Sequence, residues 1–204
     1  MENNIRRLFS LLLVTGFLLA SFSLSAAEGG KLAAVMCERC HGKNGNSEKE
    51  DVPSIAGFSE GFLINAMEMF RSGERTGAKY QLGDELEMDM NEITRQLDKA
   101  DIEALAVFYS QQEFVPRAQK FDAELAERGA KIHAYLCVDC HSEQGNKPVD
   151  DAAILAGQWT PYLKAQFNAF RSGEREAPRK MMHKFDRLYD DEIEALLNFY
   201  ASQQ

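Results

Sequence analysis

Cys37-Glu38-Arg39-Cys40-His41 returns one hundred residues later as Cys137-Val138-Asp139-Cys140-His141, and these two pentapeptides hold all four cysteines of the 204-residue chain. The same shift aligns Gly29 and Lys31 with Gly129 and Lys131, Gly45-Asn46 with Gly145-Asn146, and Ile55-Ala56-Gly57 with Leu155-Ala156-Gly157. Phe70-Arg71-Ser72-Gly73-Glu74-Arg75 recurs unchanged as Phe170-Arg171-Ser172-Gly173-Glu174-Arg175. Beyond it the shift falls to 91, so that Asp101-Ile102-Glu103-Ala104-Leu105 meets Glu192-Ile193-Glu194-Ala195-Leu196. The first copy therefore carries nine extra residues between Arg75 and Leu97. Self-similarity of this kind means one structural unit written twice. Segment 113–120, with Val115-Pro116-Arg117, has no counterpart and reads as a linker. The expected organisation is a leader over 1–27, a first domain over 28–112, the linker, and a second domain over 121–204.

Each unit reads as helices joined by loops. Leu63, Met67 and Phe70 fall at i, i+4, i+7, as do Leu163, Phe167 and Phe170, which makes one apolar helix face. Gly73 and Gly173 follow at once and predict helix ends. Ile102, Leu105 and Tyr109 form the stripe of a final helix, matched by Ile193, Leu196 and Tyr200, and Asp98 is placed to cap the first of these. Residues 42–55 and 142–154 are polar, contain Gly or Pro, and have no period. No alternating strand is evident, so the class is all-α. Loops this long bury little surface of their own, and a small helical domain containing them needs something else at its centre.

The leader shows Arg6-Arg7, an apolar run from Leu8 to Leu24, then Ser25-Ala26-Ala27. That order is the one a secretory signal uses, with cleavage after Ala27 leaving Glu28 first. The rival is an uncleaved anchor, for which the run is short; only in that case would the chain be bound to a membrane. Loss of residues 1–27 removes Glu2, Arg6 and Arg7 and moves the net charge of −9 one unit further negative. Nucleic acid is a poor partner for such a chain. Its acidity serves solubility or steers it to a basic docking face.

Cys-x-x-Cys-His is an attachment sequence for c-type haem. Two cysteines three apart form thioethers with one porphyrin, and the adjacent histidine is then held against the iron. The disc also supplies the missing core. A zinc site built from both Cys-x-x-Cys pairs leaves the two histidines unexplained. A thioredoxin-like redox pair wants a βαβ context that is absent, and a disulfide inside Cys-x-x-Cys is a poor staple. Two covalently bound haem c groups are expected, with Cys37, Cys40 and His41 at one and Cys137, Cys140 and His141 at the other.

The sixth iron ligand tunes the redox potential. The histidines outside the motifs are His133 and His183, and the first unit has no spare histidine, which favours methionine. Met88, Met90, Met181 and Met182 are the candidates. At the shift of 91, Met90 meets Met181, each seven residues before a leucine, Leu97 or Leu188, whereas Met88 has no partner and Met182 faces Asn91. The register selects Met90 and Met181; core filling is the other role open to any methionine. A His/Met iron has no open position, so electron transfer rather than catalysis is expected.

Taken together, the paired Cys-x-x-Cys-His repeats, the Leu/Ile-Ala-Gly stretches, the Phe-x-x-Gly-x-Arg helix ends, the methionines and the Glu-Ala-Leu final helices resemble the dihaem class I cytochromes of the c4 type. The resemblance covers essentially the whole chain after residue 27. Ile154 to Leu163, Phe121 to Lys131 and Phe199 to Gln204 are similar to the dihaem subunit of flavocytochrome c sulfide dehydrogenases. It implies two tandem class I cytochrome c domains, each around one covalent haem. It implies a periplasmic location and electron transfer from a flavoprotein subunit that oxidises sulfide. It also implies His41 and Met90, then His141 and Met181, as iron ligands, with the Pro53 carbonyl accepting from the His41 ring. Ala153 stands at the position of Pro53 in the second unit. The alternatives are a free-standing shuttle to a terminal oxidase or another cytochrome acceptor, and a dihaem peroxidase-like enzyme. Arg71, Arg75, Arg171 and Arg175 read as solvated surface charge, with pairing to haem propionates as the other reading. Trp159 belongs at a haem edge or a domain interface.

Overall fold

The computed structural model describes residues 26–81, 87–147 and 151–204. Most of the leader lies outside the described residues; among those described, no helix is long and apolar enough to cross a membrane.

A helix over 26–36 (α1) leads into α2, Glu38–His41, and a 3-10 turn, Lys43–Gly45. Then come α3, Glu60–Ser72; α4, Met90–Thr94; and α5, Lys99–Ser110. The second half repeats the plan with α6, Ala123–Leu136; α7, Ser142–Gly145, whose backbone is irregular; α8, Thr160–Ser172; α9, Arg179–Phe185; and α10, Asp190–Ala201.

The expected boundaries have physical causes. Gly73 and Gly173 sit in the left-handed region at φ 86° and 76° and end α3 and α8. Asp98 caps α5 by accepting from the Asp101 N–H, and Asp101 accepts from the Asp98 N–H in return. The first and last helices of each half cross at a glycine. A Cβ on Gly29 would lie 2.0 Å from the Ala104 carbonyl oxygen, and one on Gly129 would lie 2.1 Å from that of Ala195. No other residue permits this approach, which explains why Gly29 and Gly129 align in the repeat.

One element departs from the all-helical expectation. β1, Tyr80–Gln81, pairs antiparallel with β2, Glu87–Met88, with Tyr80 opposite Met88. This small ribbon occupies the nine-residue insertion. Two residues per strand are too few to show alternation in a sequence. The chain is still mostly helical.

Each half has its own core. Leu63, Phe70, Leu97, Ile102, Leu105 and Tyr109 are buried in the first, and Leu163, Phe167, Phe170, Leu188, Ile193, Leu196 and Tyr200 in the second. The halves are joined by a polar seam. Gln158, with no exposed surface, receives the Ser54 N–H at 2.8 Å and donates to the Ser54 carbonyl at 2.8 Å, much as a neighbouring strand would. Trp159 donates from its indole N–H to the Ser47 carbonyl at 2.9 Å, which settles its place at the interface. The segment after α5 is tied to both halves: Val115 N–H donates to Asn46 Oδ1, and Arg117 N–H to the Gly157 carbonyl.

Candidate cofactor and metal sites

The same backbone turn carries both Cys-x-x-Cys-His motifs. The N–H groups of Cys40 and His41 both reach the Cys37 carbonyl, at 3.1 and 2.9 Å, and those of Cys140 and His141 reach the Cys137 carbonyl at 3.2 and 2.9 Å. All four thiols are free. Burial pushes the Cys37 thiol up to about 11 and raises Cys40 and Cys137 as well, so these groups are thiols at neutral pH.

His41 is buried, and its Nδ1 lies 2.9 Å from the Pro53 carbonyl. A carbonyl only accepts, so Nδ1 carries the proton and the Nε2 lone pair is left for a metal. His141 does the same with the Ala153 carbonyl at 3.0 Å. The exchange of proline for alanine therefore keeps the bond. The carbonyls are held in place because Gly45 O accepts from Ile55 and Ala56, and Gly145 O from Leu155 and Ala156. Burial lowers the pKa of both histidines, which favours the neutral, ligating form.

Met90 opens α4, which packs against α3. Asp89 caps that helix, and Lys79 ties down both Asp89 and Glu92, at 3.2 and 2.9 Å. Met181 and Met182 lie on α9 and pack against the second core. Phe185 of α9 meets Phe167 and Phe170 of α8 edge-on, with ring centroids 5.5 and 5.7 Å apart. Met90 and Met181 thus ride on equivalent helices, each braced by the helix that ends in the repeated hexapeptide. The structure brings Cys37, Cys40, His41 and Pro53 together, and Cys137, Cys140, His141 and Ala153. It carries each methionine on a separate element. Met88 lies in β2, half-buried. His183 is exposed, and His133 is buried with Nδ1 3.0 Å from the Tyr200 hydroxyl, in keeping with neither being a ligand.

This donor set suits haem c: a neutral imidazole with Nε2 free, two unpaired thiols on one turn, and a thioether on another helix. It does not suit zinc, since among the described residues no three His, Cys, Asp or Glu side chains converge as a metal cluster would.

The arginines of the repeated hexapeptide correct the sequence reading in part. Arg71 pairs with Glu68 at 2.8 Å and Arg171 with Asp190, at the surface as expected. Arg75, expected in solvent, is only 7% exposed, and Arg175 is partly buried beside it. The reason is the seam, where Arg75 and Arg175 meet in an antiparallel bridge between the two copies. Sequence reasoning also passed over Gln158, Tyr162 and Gln166, which reach the other half only because α8 lies against it.

Comparison with known proteins gives one consistent answer. The Cytochrome c family model matches residues 26–112. An electron acceptor of thiosulfate dehydrogenase from Stutzerimonas stutzeri is 31% identical over 202 residues, covering 91% of this chain and 90% of its own. Cytochrome c4 from Pseudomonas aeruginosa is 30% identical over 176 residues, 82% of either chain. The crystal structure of reduced recombinant cytochrome c4 from Pseudomonas stutzeri superposes with a TM-score of 0.70 at 27% identity, over 87% of this chain and 97% of that one.

Proposed function

The chain belongs to the cytochrome c4 family of dihaem electron-transfer proteins, and from that premise we propose that it is a periplasmic carrier taking single electrons from a sulfur-compound dehydrogenase. It holds two covalent haem c groups. Bound haem c supplies a one-electron iron couple. In this reading the domains span 28–112 and 121–204. Cys37, Cys40, Cys137 and Cys140 supply the thioethers, and His41 with Met90 and His141 with Met181 supply the axial ligands. Pro53 and Ala153 fix the two imidazoles through their carbonyls and raise their basicity. A fully ligated iron leaves no site for substrate, so the protein's task is to hold the couple away from water and to tune it.

The observation that carries the donor class is the near full-length similarity to a protein that accepts electrons from thiosulfate dehydrogenase. A flavoprotein that oxidises sulfide is the second reading, favoured by the stretch Ile154 to Leu163. Either donor releases two electrons, and two one-electron centres in one chain accept both. Anaerobic mixing of the oxidised protein with each purified dehydrogenase and its substrate tests this. Reduction by one of the two within the turnover time supports the reading and names the donor. If neither reduces it, the free-standing shuttle to a terminal oxidase takes its place. Loss of methionine ligation on reduction would favour a peroxidase-like role instead.

A further inference from the structure

The peptide that joins Pro53 to Ser54 is held at both ends. Its carbonyl accepts from His41 Nδ1 at 2.9 Å, and its N–H donates to Gln158 Oε1 at 2.8 Å. Among the described residues every peptide is trans, so the carbonyl and the N–H of this one point in opposite directions. The three groups therefore form one chain, from the ring of His41 through a backbone amide to a side chain of the other half. Gln158 has only one way round, because its Nε2 donates to the Ser54 carbonyl at 2.8 Å. Gln158 and Ser54 have no exposed surface and His41 is buried, so water does not compete for any link. Two bonds keep the partners in register. Ser54 Oγ accepts from the Ser47 N–H at 3.1 Å, and Trp159, next to Gln158, donates to the Ser47 carbonyl at 2.9 Å.

The second half has no such chain. Ala153 accepts from His141 at 3.0 Å in the same way. At the shift of 100, Ile154 stands where Ser54 stands and Phe58 stands opposite Gln158. Phe58 and Ile154 are buried in one apolar cluster. A phenyl ring has no carbonyl to set against the Ile154 N–H. The seam is thus crossed by an amide on one side and by a ring on the other.

Hydrogen bonds in a chain polarise one another, the more so away from water. An acceptor on the Ser54 N–H makes the Pro53 carbonyl more negative. That carbonyl pulls harder on the His41 ring proton, and Nε2 becomes more basic. A more basic axial imidazole favours ferric over ferrous iron.

We propose that Gln158, a residue of the second half, tunes the first haem: through the peptide between Pro53 and Ser54 it strengthens the hydrogen bond on His41 and lowers that haem's affinity for an electron. This rests on the dihaem reading above. Gln158 acts through the peptide, so it is a positioning residue. The second haem receives no matching influence from the first half.

Spectroelectrochemical titration of the haem-loaded protein tests the relay. Haem content and the methionine-ligated ferric band, read on the same samples, test the dihaem reading separately; their absence from the wild type would overturn that reading and the proposal with it. Gln158→Leu removes the amide at nearly constant volume. The reduced-to-oxidised ratio of one haem should rise about threefold at a fixed applied potential, which is about 30 mV for a one-electron couple, and that of the other should hold. Unchanged ratios at both haems, or an equal rise at both, would overturn the proposal. In the ferrous protein the His41 Nδ1–H proton resonance should move upfield in this variant while that of His141 stays; an unmoved His41 resonance overturns it too. Gln158→Glu keeps an oxygen against the Ser54 N–H and serves if the leucine variant does not fold. Its ratio should stay at or below the wild-type value, and a rise would count against the relay. Trp159→Phe loses one bond across the seam and leaves the Ser54 pair in place. It should leave both ratios alone; a threefold rise there would reduce the effect to a loosened seam and overturn the proposal.

Discussion

The two halves share a plan but brace their methionine helices differently. In the first, Asn91 is a polar clamp. Its side chain accepts from the Gly77 N–H at 2.8 Å and donates to the carbonyls of Phe70 and Arg75 at 2.6 and 2.7 Å. Thr94 adds a bond to the Met90 carbonyl at 2.7 Å. In the second half Met182 stands where Asn91 stands and Phe185 where Thr94 stands, and the bracing is aromatic, on Phe167 and Phe170. The surroundings of the attachment turns differ too: His41 and Cys40 are better covered than His141 and Cys140. The lesson is that a repeat preserves where a ligand must be held and leaves open the means of holding it. A clamp of hydrogen bonds suits a segment that carries an extra ribbon. Packed rings suit a shorter, direct connection.

The comparison can be broken most sharply at the ligands. Met90→Ala and Met181→Ala should each remove the weak long-wavelength absorption of one methionine-ligated ferric haem, about half the signal. Met88→Ala and Met182→Ala should leave it intact, and the reverse outcome would show the register of 91 to be wrong. Next in size is Phe185→Ala, expected to cost about 3–5 kcal/mol in denaturant unfolding of the holoprotein, because it empties an aromatic cluster. Thr94→Ala at the matching position should cost about 1 kcal/mol, the worth of one hydrogen bond. Asn91→Ala should cost about 2–3 kcal/mol by leaving carbonyls unpaired, and Asn91→Met, which copies the second half, should not restore it. The smallest effect is at the final helices. Asp98→Ala should cost about 1 kcal/mol through loss of the cap. Tyr189 holds that position before α10; the Glu192 carboxylate accepts from its backbone N–H at 2.9 Å, a bond that alanine keeps, so Tyr189→Ala should come at near-neutral cost.

Much of the fold was legible in local chemistry. The apolar stripes ending at Phe70 and Phe170, the helix stops at Gly73 and Gly173 and the cap at Asp98 depend on residues close in sequence, and they stand where the spacing put them. The pairing of each motif histidine with a backbone carbonyl twelve residues on came from family resemblance, and the structure shows it in both halves. The seam was not legible. Arg75 and Arg175 carry the same local signal as Arg71 and Arg171, and what separates them is the placement of one half on the other. Gln158 looks like any loop glutamine until Ser54 is brought beside it. The ribbon in the insertion was missed because its strands are too short to have a period.

The claim beneath all of this is that one haem unit is written twice. Intact-mass measurement of the denatured holoprotein tests it most directly, since only covalent haem survives denaturation. The account predicts a chain that begins at Glu28 and carries the mass of two haems. A chain carrying one haem or none would contradict it.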